Sequence, residues 1–154
     1  MGYYTEIIFG ARLKKETPKN IIDTLRYVAN GPNQNVDEED PVVVYDKTLI
    51  EEYDLYRVMR CASYYFGVCD PVSKMWFDKT AGMWVLSFRS NCKNGYVNDD
   101  DGCGCLEKFT KWIKPYIRSG SGGADIYSII TTEDGIPRMY GVYNNYKGEE
   151  IKDE

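Results

Sequence analysis

The stretch Lys74-Met-Trp-Phe-Asp-Lys-Thr-Ala-Gly-Met-Trp-Val-Leu-Ser-Phe-Arg-Ser-Asn91 decides how the chain reads. Met75–Phe77 and Met83–Phe88 are apolar arms on either side of Asp78–Gly82, the pattern of a β-hairpin. Gly82 supplies the positive φ that such a turn needs. Side chains alternate across a strand, so Trp84, Leu86 and Phe88 share one face and Met83, Val85 and Ser87 the other. The density of rings here predicts that the hairpin is the centre of a sheet onto which helices pack.

Upstream, Tyr3–Lys14 alternates in the same way. Tyr3, Thr5, Ile7, Phe9, Ala11 and Leu13 lie on one face, and the other face is mostly polar. A helix follows, with Thr17 as N-cap and Pro18 in the first turn. Its apolar stripe is Ile21, Ile22, Leu25 and Val28, and Asn30-Gly31-Pro32 stops it. Asn33–Pro41 reads as an acidic loop and Val42–Tyr45 as a brief strand. Leu49–Arg60 reads as an irregular or short helical segment that runs into a strand at Cys61–Phe66.

Downstream, Arg89–Asn94 reads as a polar cluster leaving the strand, and Asn91–Gly104 as a loop. Cys105–Arg118 carries Leu106, Phe109 and Ile113 at helical spacing. Pro115 removes a hydrogen bond, so the helix should end or kink near Lys114, with Pro115 opening a last turn. Asp125–Thr132 and Arg138–Asn144 read as two strands. The order predicts an α+β fold, a mainly antiparallel β-sheet with two helices packed on one face. Residues 1–146 form a single domain in this reading, and 147–154 an acidic tail.

The 154 residues are 43% hydrophobic and 28% charged, a balance that supports a packed core rather than disorder. Net charge is −5, with the acid gathered in islands at Asp37, Glu38, Glu39 and Asp40 and at Asp99, Asp100 and Asp101. Such a surface repels phosphate backbones and disfavours direct nucleic-acid binding, while a host protein with a basic groove fits it. No apolar run approaches a membrane span, and the first residues lack the basic and apolar segments of a signal peptide. The expectation is a cytoplasmic protein in a host cell. A homo-oligomer stays open.

Histidine is absent, which removes Ser–His and Cys–His nucleophile pairs and every His-containing metal site. No phosphate-cradling glycine loop follows a strand, and no carboxylate pair is placed for acid–base work. No cofactor or metal is therefore expected. A Cys-only zinc site from Cys103, Cys105, Cys92 and Cys61 or Cys69 is the alternative, although the spacing is not that of paired Cys-x-x-Cys knuckles. Five cysteines, an odd count, fit reduced thiols, and a thiol at Cys103 or Cys105 near a helix start would have a lowered pKa. For ligands, Arg89, Asn91, Lys93 and Asn94 gather donors that suit an anion or a partner carboxylate, against the plainer reading of turn chemistry. Fourteen tyrosines, each with an apolar body and polar tip, suit sheet faces and binding surfaces alike.

Several short motifs carry a resemblance. Met1-Gly-Tyr-Tyr-Thr5, Leu13-Lys-Lys15 with Thr17-Pro18, Trp84-x-Leu86 with Ser90-Asn91-x-Lys93-Asn94, and Phe109-x-x-Trp112-Ile-x-Pro115-Tyr116 together resemble a group of small phage and prophage proteins that open Met-Gly-Tyr-Tyr-Thr. The chain departs from that pattern at Gly95–Cys105, where a shorter link into the helix is expected. The resemblance implies a phage setting but no activity and no catalytic residue. With the inventory above, it gives the expectation of a non-catalytic accessory protein that binds and inhibits or sequesters a host component, such as a CRISPR or other defence effector. The alternatives are a sponge for a nucleotide-type signal using Arg89, Lys93 and aromatics, and a Cys-dependent enzyme or zinc protein.

Overall fold

The structure, a computed structural model, describes residues 4–31, 45–61, 72–93, 104–119, 126–132, 135–142 and 145–147. Tyr4–Arg12 forms β1, Lys19–Asn30 α1, Lys47–Tyr53 α2 and Leu55–Arg60 α3. Val72–Asp78 and Met83–Lys93 are β2 and β3, and Cys105–Ile113 is α4, extended by a 3₁₀ turn at Lys114–Tyr116. Ile126–Thr131, Pro137–Gly141 and Asn145–Lys147 are β4, β5 and β6. The six strands form one sheet in the order β2-β3-β1-β4-β5-β6, every neighbour antiparallel. The fold is α+β, as the sequence predicts, with the helices packed on one face of the sheet.

β1 is half-buried for the reason its alternation gives. Thr5, Ile7, Phe9 and Leu13 are buried, while Ile8, Gly10 and Arg12 face outward. Phe9 is the hub of the core. Its ring stacks on Phe88 at 4.8 Å and meets Phe109 and Tyr127 edge-on at 5.5 and 5.9 Å. A bulge between Ile126 and Ser128 brings Tyr127 to the helix side as well, where its hydroxyl donates to the Thr110 carbonyl at 2.9 Å.

The structure corrects several expectations. The hairpin is real, but it is not the centre of the sheet: β2 is an edge strand, and β1 and β4 occupy the middle. Alternation reports one buried face and says nothing about how many neighbours a strand has. Arg89–Lys93 is not a loop. β3 continues to Lys93 because Glu6, Thr5 and Tyr4 pair with Asn91, Cys92 and Lys93 and occupy their backbone groups, outweighing the turn preference of Asn.

Leu49–Arg60 lies in two helices, α2 and α3, broken where Asp54 takes a left-handed conformation at φ 50. Asp tolerates that conformation better than most residues. Cys61 is not in a strand, and residues 62–66 lie outside the described residues, as do 42–44. Thr17 is not the N-cap. Pro18 takes that position, and the Thr17 hydroxyl donates to the Lys14 carbonyl at 2.6 Å. The stop of α1 is as expected, with Gly31 at φ 79, and the 3₁₀ turn at Pro115 ends α4 as the proline predicts.

Candidate functional site

The donor cluster predicted at Arg89–Asn94 is spread along β3. Arg89 and Asn91 are two residues apart, so strand geometry places them on the same side, and Lys93 is the last residue of the strand. Arg89 Nε donates to Glu6 Oε1 at 3.0 Å, an exposed cross-strand ion pair. Asn91 is buried rather than presented: it is 7% exposed, and its Oδ1 has no hydrogen-bond partner among the described residues. It therefore does not serve as a surface donor. Asn94 and the acidic islands at Asp37, Glu38, Glu39 and Asp40 and at Asp99, Asp100 and Asp101 lie outside the described residues.

What the fold assembles around Arg89 is a face, and most of its residues were not singled out in the sequence. Strand register lines up Val72, Arg89, Ile8, Ile129 and Met139 in one row across β2, β3, β1, β4 and β5. Val72 and Ile8 are 49% and 46% exposed, and Trp76, four positions along β2 on the same side, is 39% exposed. Lys74 extends over the Trp76 ring at 5.4 Å. The helices contact the opposite side, where Ile7, Phe9, Leu86 and Phe88 are buried, so among the described residues no helix covers this row. One signal was legible: Ile8 stands apolar among Glu6, Gly10 and Arg12 on the outward side of β1.

The charges on this face are largely matched. Besides Arg89 with Glu6, Arg12 meets Asp78 at 3.3 Å. A largely apolar row between these ion pairs concentrates no charge for a phosphate backbone. Aromatic and Arg side chains set in apolar surface are the composition of protein–protein contact centres.

The thiols come together elsewhere. Cys105 begins α4, Cys92 lies on the buried side of β3, and the Cys61 carbonyl accepts the Asn91 N–H at 2.9 Å. The Cys92 thiol donates to the Cys105 sulfur, which lowers the Cys105 pKa and raises that of Cys92. The direction at Cys105 is the expected one, but its main cause is the Cys92 thiol rather than the helix start, and Cys105 is buried in α4 rather than in a loop. Among the described residues no three Cys, Asp or Glu side chains are arranged to hold a metal ion, and Cys69 and Cys103 lie outside them.

No family model matches the chain, and neither a curated protein nor a solved structure matches it.

Proposed function

We propose that this chain is a non-catalytic binding protein that seats a partner protein on the face of its sheet that no helix covers among the described residues. The observation that carries the reading is the row Val72–Arg89–Ile8–Ile129–Met139, flanked by Trp76, in which Val72, Ile8 and Trp76 are exposed and Ile129 and Met139 half-buried. Large apolar side chains exposed together on one face mark an interaction surface more often than a solvated one. The net charge of −5 favours encounter with a basic partner. In the phage setting that the sequence resembles, the partner is a host protein such as a defence effector, and binding blocks or sequesters it.

The test is affinity capture from a bacterial host lysate by the wild-type chain and two variants. One carries Trp76→Ser with Arg89→Ala on the open face, and the control carries Lys47→Gln on α2. A protein retained by wild type and control but lost from the open-face variant supports the reading. Identical capture by all three, or no captured protein, overturns it.

A further inference from the structure

A cleft of about 370 Å³ lies away from the open sheet face, between α1 and the tip of the β2–β3 hairpin. Its lining is basic although the chain is acidic: Lys14, Lys15, Lys19 and Arg26 face a single carboxylate, Asp23. That carboxylate is already engaged, with Lys19 Nζ at 2.8 Å and Arg26 at 3.9 Å. Lys14 and Lys15 have no carboxylate partner among the described residues, so their positive charge is available to a ligand. Lys15 is held over the hairpin turn, 3.5 Å from where a Cβ on Gly82 would stand. The same cleft runs along the first turns of α1, a helix without a side-chain cap, whose leading N–H groups favour an anion.

The opposite wall is aromatic. Arg26 lies over the Trp84 ring at 4.3 Å, and Phe77 meets Trp84 edge-on at 5.3 Å while remaining 44% exposed. Phe77 is on the helix side of β2, where alternation would bury it, yet its ring stays open in the cleft. Cations on one wall and an open ring on the other match a molecule that carries both a phosphate and a flat ring. The volume lies at the lower end of ligand sites, roughly 300–1,000 Å³, which limits the ligand to something small.

We infer that this cleft is a second binding site, for a phosphorylated ring-bearing small molecule of the nucleotide class. Lys14 and Lys15 would neutralise the phosphate, and the open Phe77 ring would take the ring of the ligand. The site is separate from the open face and does not depend on the partner-protein reading. It also relocates the nucleotide alternative of the sequence analysis: Arg89 is paired with Glu6 on the other side of the sheet.

Calorimetric titration of the full chain with adenosine and guanosine 5′-monophosphates, adenosine and inorganic phosphate tests this. At least one mononucleotide should bind saturably, more tightly than phosphate or adenosine alone. Lys14→Gln with Lys15→Gln should weaken that binding by about tenfold or more, since each removes a charge-assisted contact. Lys15 is exposed and Lys14 half-buried, and neither is ion-paired among the described residues, so the melting temperature, measured alongside, should hold. Phe77→Leu should weaken the mononucleotides while leaving phosphate binding unchanged. No binding by either mononucleotide at millimolar concentration overturns the inference, as does binding that the lysine variant leaves intact. Phosphate bound as tightly as the mononucleotides overturns the ring contact.

Discussion

Asn30 closes the outer edge of the sheet onto Met75. Its Nδ2 donates to the Met75 carbonyl and its Oδ1 accepts the Met75 N–H, both at 2.9 Å, so one side chain imitates a neighbouring strand. The last turn of α1 is fixed at the same place. Arg60 donates to the Ala29 carbonyl at 3.1 Å, and Ser73 donates to that carbonyl at 2.7 Å. An exposed edge strand invites pairing with other chains, and here its middle is blocked.

Asn30→Ala should therefore have two effects. Loss of two hydrogen bonds that also satisfy strand backbone should lower stability by about 1–3 kcal/mol in urea denaturation. Freeing the Met75 backbone should also promote association, seen as concentration-dependent light scattering. A variant as stable and as monodisperse as the parent would show that Asn30 does not guard the edge.

Phe9 meets Phe88, Phe109 and Tyr127 and is 2% exposed. Phe9→Ala should cost about 3–5 kcal/mol, from lost burial and the cavity left behind. Phe77→Ala, at a ring that is 44% exposed, should cost much less. Parallel thermal melts compare the two, and equal losses would contradict the placement of the core.

The Arg89–Glu6 pair separates stability from binding. Its side chains are 47% and 27% exposed, so solvent screens it, and Arg89→Ala should change stability by less than about 1 kcal/mol. Capture of the partner protein should nonetheless fall, because the same residue stands in the exposed row. A large drop in melting temperature would assign Arg89 a structural role instead.

Burial pushes the Tyr127 pKa up to about 12, and the hydroxyl stays bonded to the Thr110 carbonyl. The raised folded value means that the native state holds this proton more tightly than the unfolded chain, whose value is near 10. The resulting stability is fully present below pH 10 and disappears as pH rises through about 12. The late-titrating part of the tyrosinate absorbance, to which Tyr27 and Tyr53 also contribute, should shrink by one tyrosine in Tyr127→Phe. That variant should also lose about 1 kcal/mol at neutral pH with the hydrogen bond. An unchanged alkaline profile would refute the assignment.

Much of the fold was legible because burial has a local period. Alternation in Tyr3–Lys14 found β1, and apolar spacing with Gly31 found α1 and its end. Gly82 marked the hairpin turn, where its φ is 67, and Pro115 marked the end of α4. At the site, Arg89 was singled out from composition, and Ile8 was visible as an apolar residue on a polar side.

Sequence alone thus determined β1, α1, the β2–β3 hairpin and α4 and most of the faces that they bury, because those properties repeat every two or 3.6 residues. Tertiary structure decided the rest. Glu6 and Arg89, separated by 83 positions, face each other only because β1 pairs with β3. The same pairing extends β3 through residues that read as a loop and moves the hairpin to the edge. Strand order and register arise from contacts between distant segments, whose hydrogen bonds and packing outweigh local turn preference. The exposed row and the basic cleft both exist only after that assembly.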